Sequence, residues 1–250
     1  MRLAVTTGAL RYSTYQKAPD VERITGEMPY RNHMRIKTTI AGSAVLCAAG
    51  AVMLAQTAQS STAYAGKPYQ GRPQAIPGRI QAEFYDTGGE GVAYHDSDAG
   101  NNGSGKLNPG PSALDRFRKD EDVDISYTKL EFDKTMDGQA EALGELYVGW
   151  TAPGEWIKYT VDVKQPGVYT VDAHLSSNNQ NAEISLEFDG VDVSGPIVIP
   201  TTGHWHRWRI CRNMADLKLD KGIHIMTLKF VKEGNMNIDY LEFFPKNGAR

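Results

Sequence analysis

Apolar and polar side chains alternate one for one along much of the chain beyond Ile80. Ile157, Tyr159, Val161 and Val163 are interleaved with Trp156, Lys158, Thr160 and Asp162, a period of two that buries one face of a strand and exposes the other. The pattern resumes at Tyr169, Val171, Ala173 and Leu175 after a Gln165-Pro166-Gly167 turn, so these two runs read as a hairpin. Ile184, Leu186 and Phe188 alternate again, and Asp189-Gly190 then reverses the chain into Val191 and Val193, the strongest short hairpin signal present. Further strands are expected at Leu217 and Leu219, at Met226, Leu228 and Phe230, and from Ile238 to Phe244. Many short strands, regular turns and almost no helical periodicity predict an all-β fold, a two-sheet antiparallel jelly-roll β-sandwich over residues 80–245. Two stretches break the rhythm. Ala99 to Asp115 is dense in Gly, Asn, Ser and Pro and reads as loop; Lys129 to Glu145 is a long polar connection with room for one helical turn.

The amino-terminal quarter has another character. Arg35 and Lys37 precede an apolar run from Ile40 to Ala55, followed by small-residue exits at Thr57-Ala58 and Ala63-Tyr64-Ala65. That order predicts a secretory signal peptide over 34–65, with a membrane anchor as the alternative and a secreted or cell-surface protein as the outcome. Residues 1–33 fit no part of a signal and read as an upstream extension, with the true start at Met28 or Met34; residues 66–79, rich in Gly, Pro and Gln, read as a linker. Removal of Cys47 with the signal leaves Cys211 alone, so no intrachain disulfide is expected. The 250 residues are 40% apolar and 23% charged, ordinary for a globular protein. A net charge of −3 with scattered basic residues argues against a nucleic-acid partner.

Candidate chemistry concentrates in Thr201 to Trp208, TTGHWHRW. A tryptophan in a Thr/Gly turn between polar runs is either a lid on the edge of a core or a flat surface offered to a ligand. Trp208 begins the next strand and is expected to pack. Trp150 and Trp156 bracket Thr151 to Glu155 and read as core or edge packing. His204 and His206 straddle Trp205 and would point together, two ligands of a zinc site without a third at a fixed offset. Asp96, Asp98, Glu121 and Asp124 are available to a glycosidase, but no spacing singles out a pair. No Ser-His-Asp context, phosphate loop or cysteine pair is present.

The ordered motifs IQAEFYDTGGEGVAYHDSDAGN, RFRKDEDVDI, VGWTAPGEWIKYTVDV, FDGVDV, TTGHWHRW and GNMNIDYLEF resemble carbohydrate-binding module family 6 across essentially all of Ile80 to Phe244. The resemblance implies a non-catalytic jelly roll that binds a β-linked polysaccharide or oligosaccharide, holds a structural calcium ion and accompanies a glycoside hydrolase. A monomer with no membrane contact in its mature form is expected. A pyranose offers an apolar face and a rim of hydroxyls, so its site wants aromatic planes edged by amides or carboxylates. The resemblance puts Trp205 and Phe117 in the role of planes, although the family usually has tyrosine where Phe117 stands. It makes Asn237 the amide that reads a vicinal diol, with Trp208 beside Trp205. It implies Gln81, Glu83 and Asp239 as calcium ligands, with a backbone carbonyl near Phe117 or Arg118, on the expectation that the first and last strands pair. Gln81 and Glu83, two apart on a strand, would project the same way. Asn237 and Asp239 share a face under strict alternation, so the two sites must adjoin or the strand must kink. A hydrolase or lyase in the acidic loops, a calcium-dependent adhesion domain, and a second sugar site on the concave sheet stay open as alternatives.

Overall fold

The computed structural model of the protein describes residues 63–248; the expected upstream extension and nearly all of the expected signal segment, with Cys47, lie outside the described residues. The strands are β1 (Gln74–Ile76), β2 (Gly78–Gln81), β3 (Tyr94–His95), β4 (Ile125–Tyr127), β5 (Lys134–Thr135), β6 (Leu146–Val148) and β7 (Trp156–Val163). They continue as β8 (Gly167–Ser177), β9 (Ala182–Phe188), β10 (Val191–Asp192), β11 (Ile197–Ile199), β12 (Arg207–Leu219), β13 (Gly222–Lys232) and β14 (Met236–Pro245). One sheet has the order β1-β7-β13-β9-β10, with β3 on β7 and β11 on β9; the other has the order β4-β6-β14-β8-β12-β5, with β2 on β14. The expected two-sheet sandwich therefore forms. Its core lies between Ile157, Tyr159, Val161, Leu186, Leu228 and Phe230 of the first sheet and Val171, Ala173, Leu175, Ile238, Leu241 and Phe243 of the second. Each such side chain contributes roughly 1.5–3 kcal/mol on burial, which lets the sandwich stand with Cys211 free and buried.

Turn chemistry acts where it was legible. Asp189 and Gly190 both adopt positive φ, 52° and 80°, the twist that a two-residue hairpin needs, and Val191 pairs with Phe188. The β7–β8 hairpin does not form: β7 pairs with β13, β1 and β3, whereas β8 crosses to the other sheet between β14 and β12. Alternation determines which face is buried, and it is the same for a strand that folds back on its neighbour and for one that passes over to the opposite sheet.

Three further expectations are corrected. Much of 66–79 is part of the domain and not linker: Lys67 and Thr87 exchange backbone hydrogen bonds of 2.8 and 2.9 Å, and β1 runs parallel to β7. Its Gly, Pro and Gln content reflects a chain moving between sheets. Lys129–Glu145 has a single turn, closed by Asp133 N–H on the Lys129 carbonyl (2.9 Å), that does not go on into a helix; the connection instead carries β5, which pairs in parallel with the start of β12. And β2 stops at Gln81, so Glu83 sits in a 3-10 turn over Ala82–Phe84, where alternation no longer says which way it points.

The strand that carries Gln81 does pair with the last strand, β2 antiparallel to β14 with Gln81 opposite Tyr240, although β1 precedes it and joins the other sheet. The kink required in β14 is present as a bulge. Ile238 pairs with Leu175 and Tyr240 with His174, leaving Asp239 as the extra residue. Met236 and Ile238 are buried before the bulge, Leu241 and Phe243 after it, so the strand changes phase between Asn237 and Asp239.

Candidate functional site

Three loops meet at one end of the sandwich. In the turn before β12, Thr202 is buried and its hydroxyl accepts from the Ser177 amide (2.9 Å) and reaches the Ser177 and His204 carbonyls (both 3.0 Å). That anchor fixes a turn in which Gly203 has φ 82°. Trp205 follows, its indole N–H donating to the Asn235 carbonyl (3.1 Å) in the β13–β14 turn. Asn235 also donates its backbone N–H to the Thr151 carbonyl, and Met236 N–H donates to Thr151 Oγ1 (3.2 Å), which ties this turn to the loop after β6. In that loop Trp150 adopts φ 50°, unusual for a bulky residue and costing about 1–3 kcal/mol. Such strain gathers where a side chain must be presented.

Tyr147, Trp150, Trp205, His206, Asn235 and Asn237 line a cleft of about 270 Å³, just below the roughly 300–1,000 Å³ range of ligand sites. Trp150 is 38% exposed and Trp205 37%, an unusual cost for two indoles unless their faces are used. Asn237 is buried, and its Nδ2 donates to the Trp205 carbonyl (2.7 Å) and to Ser176 Oγ (3.2 Å). With both amide hydrogens committed, Oδ1 is the group it can offer, an acceptor for a hydroxyl in place of the expected donor–acceptor pair. Glycine at 149 is required by the same residue: a Cβ there would lie 2.6 Å from Asn237 Oδ1 and 3.2 Å from the Tyr147 ring.

Trp205 and Asn237 therefore come together, as expected. Phe117 does not join them. It packs against the core with its ring 5.9 Å from Tyr69 and 6.1 Å from Phe84, held by the amino-terminal segment that composition marked as linker. Trp208 is buried behind the cleft, its ring 5.1 Å from Tyr147 and 5.3 Å from His174, and its N–H donates to Asp133 Oδ1 (2.6 Å). It supports Tyr147 and does not face a ligand. The other exposed indole in the cleft is that of Trp150, which had read as packing. Its signal was available, a tryptophan after Gly149 in a Thr-Ala-Pro-Gly loop, the same setting that singled out Trp205.

A second cluster lies where β2 meets β14. Gln81 Oε1, Glu83 Oε2 and Asp239 Oδ1 are buried oxygens without a hydrogen-bond partner. Burial pushes the Glu83 carboxyl up to about 8, its own backbone amide opposing the shift and Asp239 and Glu145 adding to it. Orphaned buried acceptors are expensive, and three hard oxygens are the donor chemistry that suits a calcium ion. Among the described residues no group of three or more His, Cys, Asp or Glu could hold a metal; here the third oxygen is an amide. Arg118, whose neighbourhood was expected to lend a carbonyl, puts its guanidinium 3.3 Å over the Tyr85 ring and donates to the Tyr85 and Asp86 carbonyls.

The other candidates have structural occupations. Asp124 accepts from the backbone and side chain of Asn102, Asp96 from Asp98 N–H (3.1 Å), Asp98 from Asn102 Nδ2 (3.3 Å) and Glu121 from Arg118 (2.8 Å). His204 and His206 lie 5.6 Å apart, with His206 Nδ1 on Asp133 Oδ1 (3.1 Å).

Among solved structures, a β-1,3-glucan-binding family 6 module from Bacillus halodurans is 17% identical and has a TM-score of 0.44 over 69% of this chain and 98% of its own. A family 6 module from Clostridium stercorarium, solved with cellobiose, is 18% identical with a TM-score of 0.45 over 70% and 99%. A glycoside hydrolase family 43 arabinoxylan arabinofuranohydrolase from Bacillus subtilis, solved with cellotetraose, is 16% identical with a TM-score of 0.46 over 70% of this chain and 28% of its own. The family model for carbohydrate binding module (family 6) matches residues 124–245, a span that contains Trp150, Trp205 and Asn237 and leaves Gln81, Glu83 and Phe117 outside. Residues 124–245, the matched part of the sandwich, belong to carbohydrate-binding module family 6.

Proposed function

We propose that the domain binds a β-linked polysaccharide in the Trp150–Trp205 cleft, without catalysing its cleavage, as a secreted protein acting beside a glycoside hydrolase. The observation that carries the site is the pairing of two exposed indoles with Asn237 Oδ1 in one cleft. Indole faces take the C–H face of a pyranose, the carbonyl oxygen accepts from a ring hydroxyl, and the bonds that join Asn235 to Thr151 and Thr202 to Ser177 hold the planes in place before ligand arrives. Affinity is weak per sugar, because little area is buried and hydroxyls must give up water. Affinity electrophoresis against xylan, laminarin, agarose and mixed-linkage glucan tests the reading. Retardation by at least one polymer is expected, lost in Trp205→Ala and in Trp150→Ala; retardation unchanged by both variants removes the cleft from the account.

The same reading includes a structural calcium ion held by Gln81, Glu83 and Asp239. Its chemistry is neutralisation of two buried carboxylates and completion of an unsatisfied oxygen set, which ties the β2 end of the chain to β14.

A further inference from the structure

We infer that the cleft receives an internal run of an uncharged glycan chain at least three sugars long, extending past the two tryptophans toward Phe132 and toward the Asn179–Glu233 hollow; this rests on the sugar-binding reading above. Phe132 carries the first part of the argument. It lies in the long β4–β6 connection, 59% exposed, with its ring 5.7 Å from that of His206, which lines the cleft. This exposure is not that of a loose loop. Phe132 N–H donates to the Lys129 carbonyl (3.2 Å) and Lys134 N–H to the His206 carbonyl (2.9 Å). Between them Asp133 is buried and accepts from His206 and Trp208. A pinned backbone thus presents an aromatic ring to solvent next to the aromatic cleft, which suits stacking on a further sugar.

A second hollow carries the other part. It has a volume of about 430 Å³ and shares Trp150 and Asn235 with the cleft, continuing over Thr151, Asn179 and Glu233. The path joins Phe132 through His206 at one point and this hollow through Trp150 and Asn235 at another, so a chain can enter and leave. Neither lining contains Lys or Arg, and Glu233 is the carboxylate among them. Within these two linings a polyuronate or sulfated chain would meet a negative charge and no counter-charge, Lys134 and Arg207 lying beyond them beside Phe132, whereas neutral hydroxyls find Glu233 and the Asn179 turn as acceptors.

Titration calorimetry with cello-, xylo- and laminari-oligosaccharides of two to six units tests this on the folded chain. Affinity in the bound series is expected to rise about ten-fold or more from two units to five, and Phe132→Ala to lower the five-unit affinity about five-fold while leaving two-unit affinity and melting temperature unchanged. Oligogalacturonate of five units is expected to bind about ten-fold more weakly than the neutral series, with Glu233→Gln narrowing the gap. Equal affinity for two and five units, equal loss at both lengths in Phe132→Ala, or tight oligogalacturonate binding overturns the extended path and leaves the sugar site standing. Binding to none of the three series overturns this inference, and binding unaffected by both Trp150→Ala and Trp205→Ala overturns the cleft reading and this inference with it.

Discussion

At the scale of single residues, the cleft depends on positions whose side chains never meet a ligand. Gly149 is one. Gly149→Ala would drive a methyl group into Asn237 Oδ1, so ligand affinity is expected to fall about ten-fold and, with overpacking costing about 1–3 kcal/mol, the melting temperature to drop by several degrees, measurable by calorimetry and differential scanning fluorimetry. Asp96 offers a pH test of the loop that flanks β3. Burial, with the nearby Glu155, Asp124 and Asp98 carboxylates adding to it and the Asp98 amide opposing, pushes its carboxyl from 3.8 up to about 7. The native state then keeps a proton that the unfolded chain releases, so its contribution makes stability fall as pH rises from about 4 to about 7 and level off above. Denaturant titrations across that range are expected to show the fall, to which Glu83 also contributes, and Asp96→Asn to make it shallower; a slope unchanged in the variant refutes the assignment.

Elements act through a few buried side chains that lock loops to strands. The β4–β6 connection is polar enough to read as surface insertion, yet Asp133 fastens it to β12 by accepting from Trp208, His206 and the Lys129 amide. Burial alone would raise the Asp133 carboxyl, but the His206 and Trp208 hydrogen bonds outweigh it and hold it below the usual range. Asp133→Ala leaves the buried Trp208 N–H without an acceptor, at a cost of about 1–3 kcal/mol. At roughly 2–4 °C per kcal/mol for a domain of this size, a drop of several degrees is expected by calorimetry. Sugar affinity should fall as well, since Trp208 backs Tyr147, whereas Phe132→Ala in the same loop spares stability. The β14 bulge is the second such device. A strict alternation would send Asn237 and Asp239 to one face; the extra residue separates the two sites.

For the whole molecule, the buried oxygens of Gln81, Glu83 and Asp239 link the amino-terminal segment to the last strand, and the calcium proposal makes a global prediction. Chelation is expected to lower the melting temperature, millimolar calcium to restore it, and Glu83→Gln to abolish the calcium-dependent rise. A melting curve indifferent to chelator removes the ion. What the sequence by itself determined is the fold class and the membership of its faces: period-two alternation and the Asp189-Gly190 turn depend on neighbours a few residues apart, and those the chain carries openly. Trp205 stood out for a related reason, a Thr/Gly turn with no apolar run to join, whereas Asn237, inside β14, was named by the family resemblance. Only the tertiary structure decided which strand pairs with which, that residues 66–79 belong to the domain, and that Trp150 and not Phe117 stands opposite Trp205. Those outcomes depend on contacts between segments dozens of residues apart: Phe117 is drawn inward by Tyr69 and Phe84, and Trp150 is turned outward by the bonds that Thr151 makes with Asn235 and Met236. Local pattern reports which face a residue prefers; the packing of distant segments determines what that face meets.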